Sequence, residues 1–317
     1  MSPTRVVFVL VPRLHLLDLA GPAQAFTTAN DLGYGYQVSY AAESDEIVTA
    51  QGVPLRTSTE WPELDPGDLV VVPGWRSPRL SPEPPIGYEV RQRLRAHHAS
   101  GGTVASVCSG ADALGRAGLL DGRRFTTHHD LTDELAARYP QATIVRDVLY
   151  VEDDRVITSA GIASGIDLAL HLIAVGRGAE AAARVAREMV VYARRNGDEL
   201  QESVMLRHRD HLSDLAHRVQ DIIDARYAEK LPLSELARLV GVSERTLTRI
   251  FTAATGLTPL RYQQLLRLER AEHLIGHGAT VEAAARAVGF EDARMLRRLR
   301  GRVSVQTLRT QTLQLSG

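Results

Sequence analysis

Thr103-Val-Ala-Ser-Val-Cys-Ser-Gly110 decides how the front half of this 317-residue chain is read. A short β-branched run leads into Cys108, with Ser106 and Gly110 two places away on either side. Small residues flanking a nucleophile between a strand and a helix are what a tight elbow requires, because bulkier neighbours would clash in the turn. The N-terminus of the helix beyond it is expected to favour the thiolate.

Four more apolar runs surround this one, at residues 5–11, 69–72, 144–148 and 156–159. Continuous runs of this kind fit strands buried on both faces of a parallel sheet. Helical stretches fall between them, at 22–30, 87–98, 111–117, 132–139 and 164–175. The alternation predicts an α/β sandwich, flavodoxin-like and mostly parallel, with helices on both faces. Ligands of such sheets sit beyond the carboxyl ends of the strands. Two further strand ends therefore matter. Asp18-Leu-Ala-Gly-Pro22 follows the first strand, and Pro22 suits the first turn of a helix, which places Asp18 just before it. Pro73-Gly74-Trp75 follows residues 69–72 directly, and Gly74 permits a close approach of backbone to ligand.

At about 100–200 residues per domain, the length predicts two domains. The formal net charge of −1 conceals an asymmetry. Residues 1–198 carry 19 basic and 24 acidic side chains, whereas residues 231–317 carry 13 and 7. An acidic front and a basic tail point to an anionic partner at the C-terminus. With 44 % hydrophobic and 24 % charged residues, the chain is too apolar for disorder. Its longest apolar runs, such as residues 6–11, fall far below the roughly 20 residues that span a bilayer. No apolar signal segment opens the chain, so a cytoplasmic protein without membrane contact is expected. Cys108 is the single cysteine, which excludes a disulfide framework and a multi-cysteine metal site and fits a reducing compartment. No metal or cofactor is expected.

Residues 178–195 read as one Ala- and Arg-rich helix with Ala182, Val185, Met189 and Tyr192 on one face, for packing on its own domain or for dimerisation. Asn196-Gly197-Asp198 breaks it. The expected division is a ligand-sensing domain over 1–195, a linker over 196–211 and a DNA-binding domain over 212–317.

In the rear part, Leu215, Val219, Ile222, Ile223 and Tyr227 share one face of an amphipathic helix. In the stretch 232–251, Ala237 lies four residues before Gly241, a spacing that lets two helices approach around a tight turn. Ser243 is a good N-cap for the second helix. Leu247, Ile250 and Phe251 lock that helix onto the first, which leaves Glu244, Arg245, Thr248, Arg249 and Thr252 on the open face. Arginines and hydroxyls on such a helix suit reading of the major groove. The pattern recurs 48 residues later, with Ala285 before Gly289 and Arg294, Arg297, Arg298 and Arg300 beyond it. A helix from Thr258-Pro259 to about residue 275 joins the copies and spans about 25 Å at 1.5 Å per residue. All-α architecture with two helix-turn-helix motifs follows, and double-stranded DNA is the expected partner.

Two resemblances arise from these motifs. Asp18-Leu-Ala-Gly-Pro22, Val72-Pro-Gly74, Ser106-Val-Cys-Ser-Gly110, Gly118-Leu-Leu-Asp-Gly122 and Thr126-Thr-His128 together resemble the ThiJ/PfpI, class I glutamine amidotransferase-like domain over about residues 5–175. The resemblance makes Cys108 the elbow cysteine and Asp18 the acidic residue facing it. It puts Gly74, Ser109 and His128 or His129 near the same pocket. Protease-like members carry histidine directly after the cysteine, where this chain has Ser109, and the His-x-Glu pair of glutaminases is missing from Ser159-Ala-Gly-Ile-Ala-Ser-Gly165. Amide chemistry needs such a base.

Gly256-Leu-Thr-Pro259 with Tyr262, and Ala284-Ala-Arg-Ala-Val-Gly-Phe290, resemble AraC/XylS transcriptional regulators over about 212–309. Met295, Leu296 and Leu299 stand where that family often has phenylalanines, and its closing motif is shortened to Val303-Ser-Val-Gln-Thr-Leu308. The second reading helix is therefore expected to touch mostly phosphates. The combination implies a regulator, not an enzyme: a homodimer that senses a small-molecule effector and controls catabolism of amines, amino acids or betaines. The rival readings are a hydratase- or amidase-like enzyme using Cys108 and Asp18, and a redox sensor based on Cys108.

Overall fold

The computed structural model describes residues 3–76, 85–191, 195–198, 201, 204, 208–276 and 278–301. The chain divides into two units, Met1–Gln201 and Glu202–Gly317. No helix among the described residues is long and apolar enough to cross a membrane.

In the front unit the strands are β1 (Thr4–Val9), β2 (Tyr36–Ala41), β3 (Glu46–Val48), β4 (Pro54–Arg56), β5 (Leu69–Val72), β6 (Thr103–Val107), β7 (Arg124–Phe125), β8 (Thr143–Ile144), β9 (Tyr150–Asp153) and β10 (Val156–Ser159). Six of them form one sheet in the order β2-β1-β5-β6-β10-β9. Every neighbouring pair is parallel except β9 with β10. The central strands are buried on both faces, as their unbroken apolar runs demand: Val6, Val7, Phe8, Val70, Val72, Val104, Ala105 and Val107 are all inaccessible to solvent. The helices are α1 (Leu16–Asp31), α2 (Tyr88–Ala99), α3 (Gly110–Arg116), α4 (Thr132–Arg138), α5 (Ser164–Arg177) and α6 (Ala179–Glu188). α1, α5 and α6 pack together, and α2 packs with α3 and β6.

Four expectations change. First, α1 starts at Leu16, so Asp18 lies inside its first turn and Pro22 is interior. Proline removes one helical hydrogen bond there. Burial of Leu19, Ala25, Phe26 and Ala29 against the core holds the helix together across that gap. Second, only Ile144 of the run 144–148 pairs as a strand, and Asp147 within the run takes a left-handed backbone (φ 54°). Third, β2 and β9 are edge strands that a search for continuous apolar runs passes over. Tyr36-Gln-Val-Ser-Tyr-Ala41 interleaves polar residues with apolar ones, and only its ends, Tyr36 and Ala41, are buried. Fourth, the helix expected over 178–195 ends at Glu188, and Val190 turns left-handed (φ 55°). Its Ala181, Ala182 and Val185 are buried in the front core, so this face packs on its own domain. Tyr192 and residues 303–308 lie outside the described residues.

In the rear unit the helices are α7 (Asp214–Ala225), α8 (Leu233–Val240), α9 (Glu244–Thr255), α10 (Pro259–Gly276), α11 (Val281–Ala287) and α12 (293–301). α8 and α9 form the first helix-turn-helix module, and α11 and α12 the second. Each module has its own core. Leu236, Ala237, Leu247 and Phe251 gather in one, and Ala284, Ala285, Phe290, Leu296 and Leu299 in the other. α10 serves both, giving Tyr262 and Leu266 to the first and Leu268 and Ala271 to the second. Arg267, between those pairs, donates to the carbonyl oxygens of Tyr227 (2.6 Å), Glu229 (2.7 Å) and Gly289 (2.7 Å). One guanidinium thus ties the loop after α7 to the turn of the second module.

Candidate functional site

The carboxyl ends of β1, β5, β6 and β10 converge at Cys108. This residue adopts φ 57°, the left-handed region that side chains avoid, so the elbow between β6 and α3 is strained as its small neighbours foretold. Four hydrogen bonds hold the elbow there. Its N–H donates to Ser159 O (2.8 Å), and its carbonyl accepts from Thr127 Oγ1 (3.0 Å). Next to it, Ser109 Oγ accepts from Trp75 N (2.7 Å) and donates to Trp75 O (3.0 Å). The Ser109 hydroxyl, in the place where protease-like members have histidine, is committed to bracing the loop after β5.

Two glycines make the corner tight. A Cβ on Gly74 would lie 2.5 Å from Asp18 Oδ2 and 2.6 Å from Cys108 Cβ. A Cβ on Gly161 (φ 105°) would overlap the Cys108 side chain. Asp18 is fully buried. Its Oδ1 accepts from Ile162 N (2.6 Å), and the carboxyl also faces the Cys108 thiol and the Gly74 N–H. Burial raises the Asp18 carboxyl above its ordinary range, partly offset by the Ile162 N–H and by His15. The Cys108 thiol is also pushed up, first by burial and then by the neighbouring Asp18 charge. This corrects the expected thiolate. The helix N-terminus is outweighed, because a thiol 6 % exposed and facing a carboxyl gains nothing by ionising.

Asp18, Gly74, Cys108 and Ser109 are therefore brought together as the motifs implied. His128 follows Thr127, and its ring packs tilted against His129 at 4.2 Å and lies 3.6 Å from Asp130. Among the described residues, His128, His129 and Asp130 have ligand atoms within 4.8 Å of one another, the one group with metal-like spacing. They are consecutive, two are exposed, and both histidines already face the Asp130 carboxylate. Gly161, Ile162 and Thr127 are contributors that sequence reading missed. The signal was present in Gly161, a glycine just past a buried strand, in a segment read only for its missing His-x-Glu.

In the rear unit Ser243 caps α9, its Oγ accepting from Thr246 N (3.2 Å). The hydroxyl is spent on the helix end, so Ser243 sets where the reading face begins. Glu244, Arg245, Arg249 and Thr252 are exposed, Thr248 is half-buried, and Leu247 and Phe251 are buried beneath them. Among the described residues, Arg245 and Arg249 have no carboxylate within ion-pair distance. The second module differs. Asp292 caps α12 through Arg294 N (2.8 Å) and also faces the Arg294 guanidinium (3.5 Å). Arg297 pairs with Glu282, and Arg300 with Glu272 (2.6 Å). Arg298 is exposed.

Comparison with known proteins matches residues 4–175 to the DJ-1/PfpI family and residues 236–308 to a helix-turn-helix domain. Relatives include the HTH-type transcriptional regulator GbdR of Pseudomonas aeruginosa, 28 % identical over 281 residues, 86 % of this chain and 74 % of that one. The HTH-type transcriptional regulator CdhR of the same species is 29 % identical over 291 residues, 90 % of this chain and 84 % of that one. Among solved structures, an AraC family transcriptional regulator from Pseudomonas putida gives a TM-score of 0.51 at 26 % identity, across 59 % of this chain and 100 % of that one.

Proposed function

This chain belongs to the DJ-1/PfpI family and carries an AraC-type helix-turn-helix domain behind the family domain, and on that premise we propose how it works as a DNA-binding transcriptional regulator. The front unit binds a small metabolite at the Asp18–Cys108 corner. The rear unit reads an operator and so controls catabolic genes. Asp18 carries this reading. A fully buried carboxyl with one close backbone donor, the Ile162 N–H, is short of hydrogen bonds, and an under-satisfied buried acceptor costs on the order of 1–3 kcal/mol. A ligand that offers an N–H or O–H to Oδ2 removes that cost and gains affinity from it. Cys108, held as a neutral thiol, then serves as a small wall of the site and not as a nucleophile.

On the DNA side, Arg245 and Arg249 read bases, with Glu244 and Thr248 beside them and Ser243 fixing the start of the helix. Arg294 and Arg298 contact phosphates, and Arg297 is held back by Glu282. The protein acts in the cytoplasm as a homodimer, since linking two binding units multiplies affinity for a paired site.

The test is thermal unfolding of the full chain, wild type and Asp18→Asn, against a panel of amines, amino acids and betaines. A compound that raises the melting temperature of the wild type and not of Asp18→Asn supports the corner as the sensing site. Equal responses from both proteins would sink it. Sedimentation of the protein on its operator checks the pairing, and a single copy bound at full occupancy would reject the homodimer.

A further inference from the structure

We propose that Gln201 is the positioning residue through which the Cys108 corner reaches the DNA-binding unit, a proposal that rests on the sensing role given to that corner above. Thr127 is the first step. Its Oγ1 donates to the Cys108 carbonyl at 3.0 Å, so it follows any movement of the elbow. The carbonyl oxygen of the same Thr127 accepts from Gln201 Nε2 at 2.9 Å. That amide nitrogen donates again to Val148 O at 3.1 Å, and Gln201 Oε1 accepts from His129 N at 3.0 Å. The Gln201 backbone N–H donates to Asp147 Oδ1 at 3.1 Å. Both donors and the acceptor of one side-chain amide are thus engaged with the backbone of two loops. A side chain bound in this way has a single rotamer, and its own backbone must follow those loops.

The position of Gln201 gives the network its consequence. It is the last residue of the front unit, and the chain enters the DNA-binding unit at Glu202. The approach to it is also fixed. Arg195 grips the buried Asp167 at the start of α5 through its backbone N–H (2.9 Å), Nε (3.0 Å) and a terminal nitrogen (2.6 Å). The Gly197 carbonyl then accepts from Leu149 N (2.7 Å) and Tyr150 N (3.1 Å), at the edge strand β9. Residues 196–201 were expected to open a linker. Gly197 and Gln201 are instead bonded to the front unit, and the Gln201 bond leads back to Cys108. A ligand that shifts the elbow displaces Thr127, and Thr127 displaces Gln201, the residue after which the chain enters the DNA-binding unit.

The experiment is a double-mutant cycle in the full-length protein, read as affinity for the duplex it selects from a random DNA pool. Gly74→Ala crowds Asp18 and Cys108 directly, and Thr127→Val removes the hydroxyl bond to the elbow with little change of shape. The second serves if the first does not fold. Each perturbation is expected to change affinity about fivefold or more in the wild-type background. The same perturbation is expected to change affinity by less than about twofold in the Gln201→Ala background. Gln201→Glu, which keeps an acceptor and removes both donors, is expected to uncouple in the same way. Equal shifts in both backgrounds overturn the assignment and leave Gln201 a structural residue. No shift from either perturbation in the wild-type background removes the sensing role of the corner, and this proposal falls with it. Amide hydrogen exchange supplies a readout independent of DNA. Thr127→Val is expected to speed exchange at the His129 and Gln201 amides, and unchanged rates there break the chain at its first link.

Discussion

Ala237 and Gly241 in the first helix-turn-helix module correspond to Ala285 and Gly289 in the second, yet the two glycines meet different surroundings. Both are left-handed, with φ of 73° and 82°. Gly241 has open space where a Cβ would stand, whereas a Cβ on Gly289 would overlap the Ala228 carbonyl oxygen. The arginines differ in the same sense. Arg245 and Arg249 stand clear of acidic side chains among the described residues, whereas Arg294, Arg297 and Arg300 each face one. A repeated pattern therefore specifies the same local fold twice without specifying the same chemistry. The second module is wedged against the loop after α7 beneath Arg267 and uses its charges partly on itself. The first keeps its reading face free.

The largest effect separating the modules is expected at the turns. Gly241→Ala should cost about 1–2 kcal/mol, the penalty for a left-handed residue with a Cβ. Gly289→Ala adds a backbone overlap and should cost about 3 kcal/mol or more. Denaturant unfolding of the two variants measures this directly, and equal losses would break the contrast.

Next come the reading helices. Arg245→Ala and Arg249→Ala should each weaken binding to the operator by about 1–3 kcal/mol, with relaxed preference at one base pair. Arg298→Ala should instead lower affinity evenly across sequences and reduce the log–log salt slope by about 1. Fluorescence anisotropy on operator and scrambled duplexes at several salt concentrations separates the two behaviours. A loss of specificity from Arg298→Ala as large as that from Arg249→Ala would mean that the modules read DNA alike.

The smallest effect is the most diagnostic. Glu282→Gln releases Arg297 and should steepen the salt slope by up to about 1, with sequence preference unchanged. A slope that does not move would show that Arg297 is available to phosphate despite its partner.

Much of this was legible along the chain because it depends on near neighbours. The elbow at Cys108 follows from Ser106 and Gly110, since a strained turn excludes bulky flanks. Ser243 and Thr258 both cap helices, at 3.2 and 3.3 Å to the backbone N–H three residues on, as their hydroxyls and positions imply. The edge strands β2 and β9 were not legible by the same search, because a strand with one solvated face lacks the continuous apolar run that marks a central one. Pro22 misplaced the start of α1, because burial of the helix outweighs the local preference of proline for a first turn.

By itself, then, the sequence determined two domains, a parallel α/β front with its nucleophile elbow, and two helix-turn-helix copies in a basic tail. Periodicity, small-residue spacing and charge counts are local properties that survive without coordinates. Only the tertiary structure decided what those residues do. It made Cys108 a buried neutral thiol beside the buried Asp18 carboxyl, spent Ser109 on Trp75, tied Gln201 back to the elbow, and paired Arg294, Arg297 and Arg300 of one module with carboxylates while leaving Arg245 and Arg249 of the other without one among the described residues. Protonation and charge availability depend on burial and on partners distant in the chain, such as Asp18 and Ile162, and those meet only when the sheet is assembled.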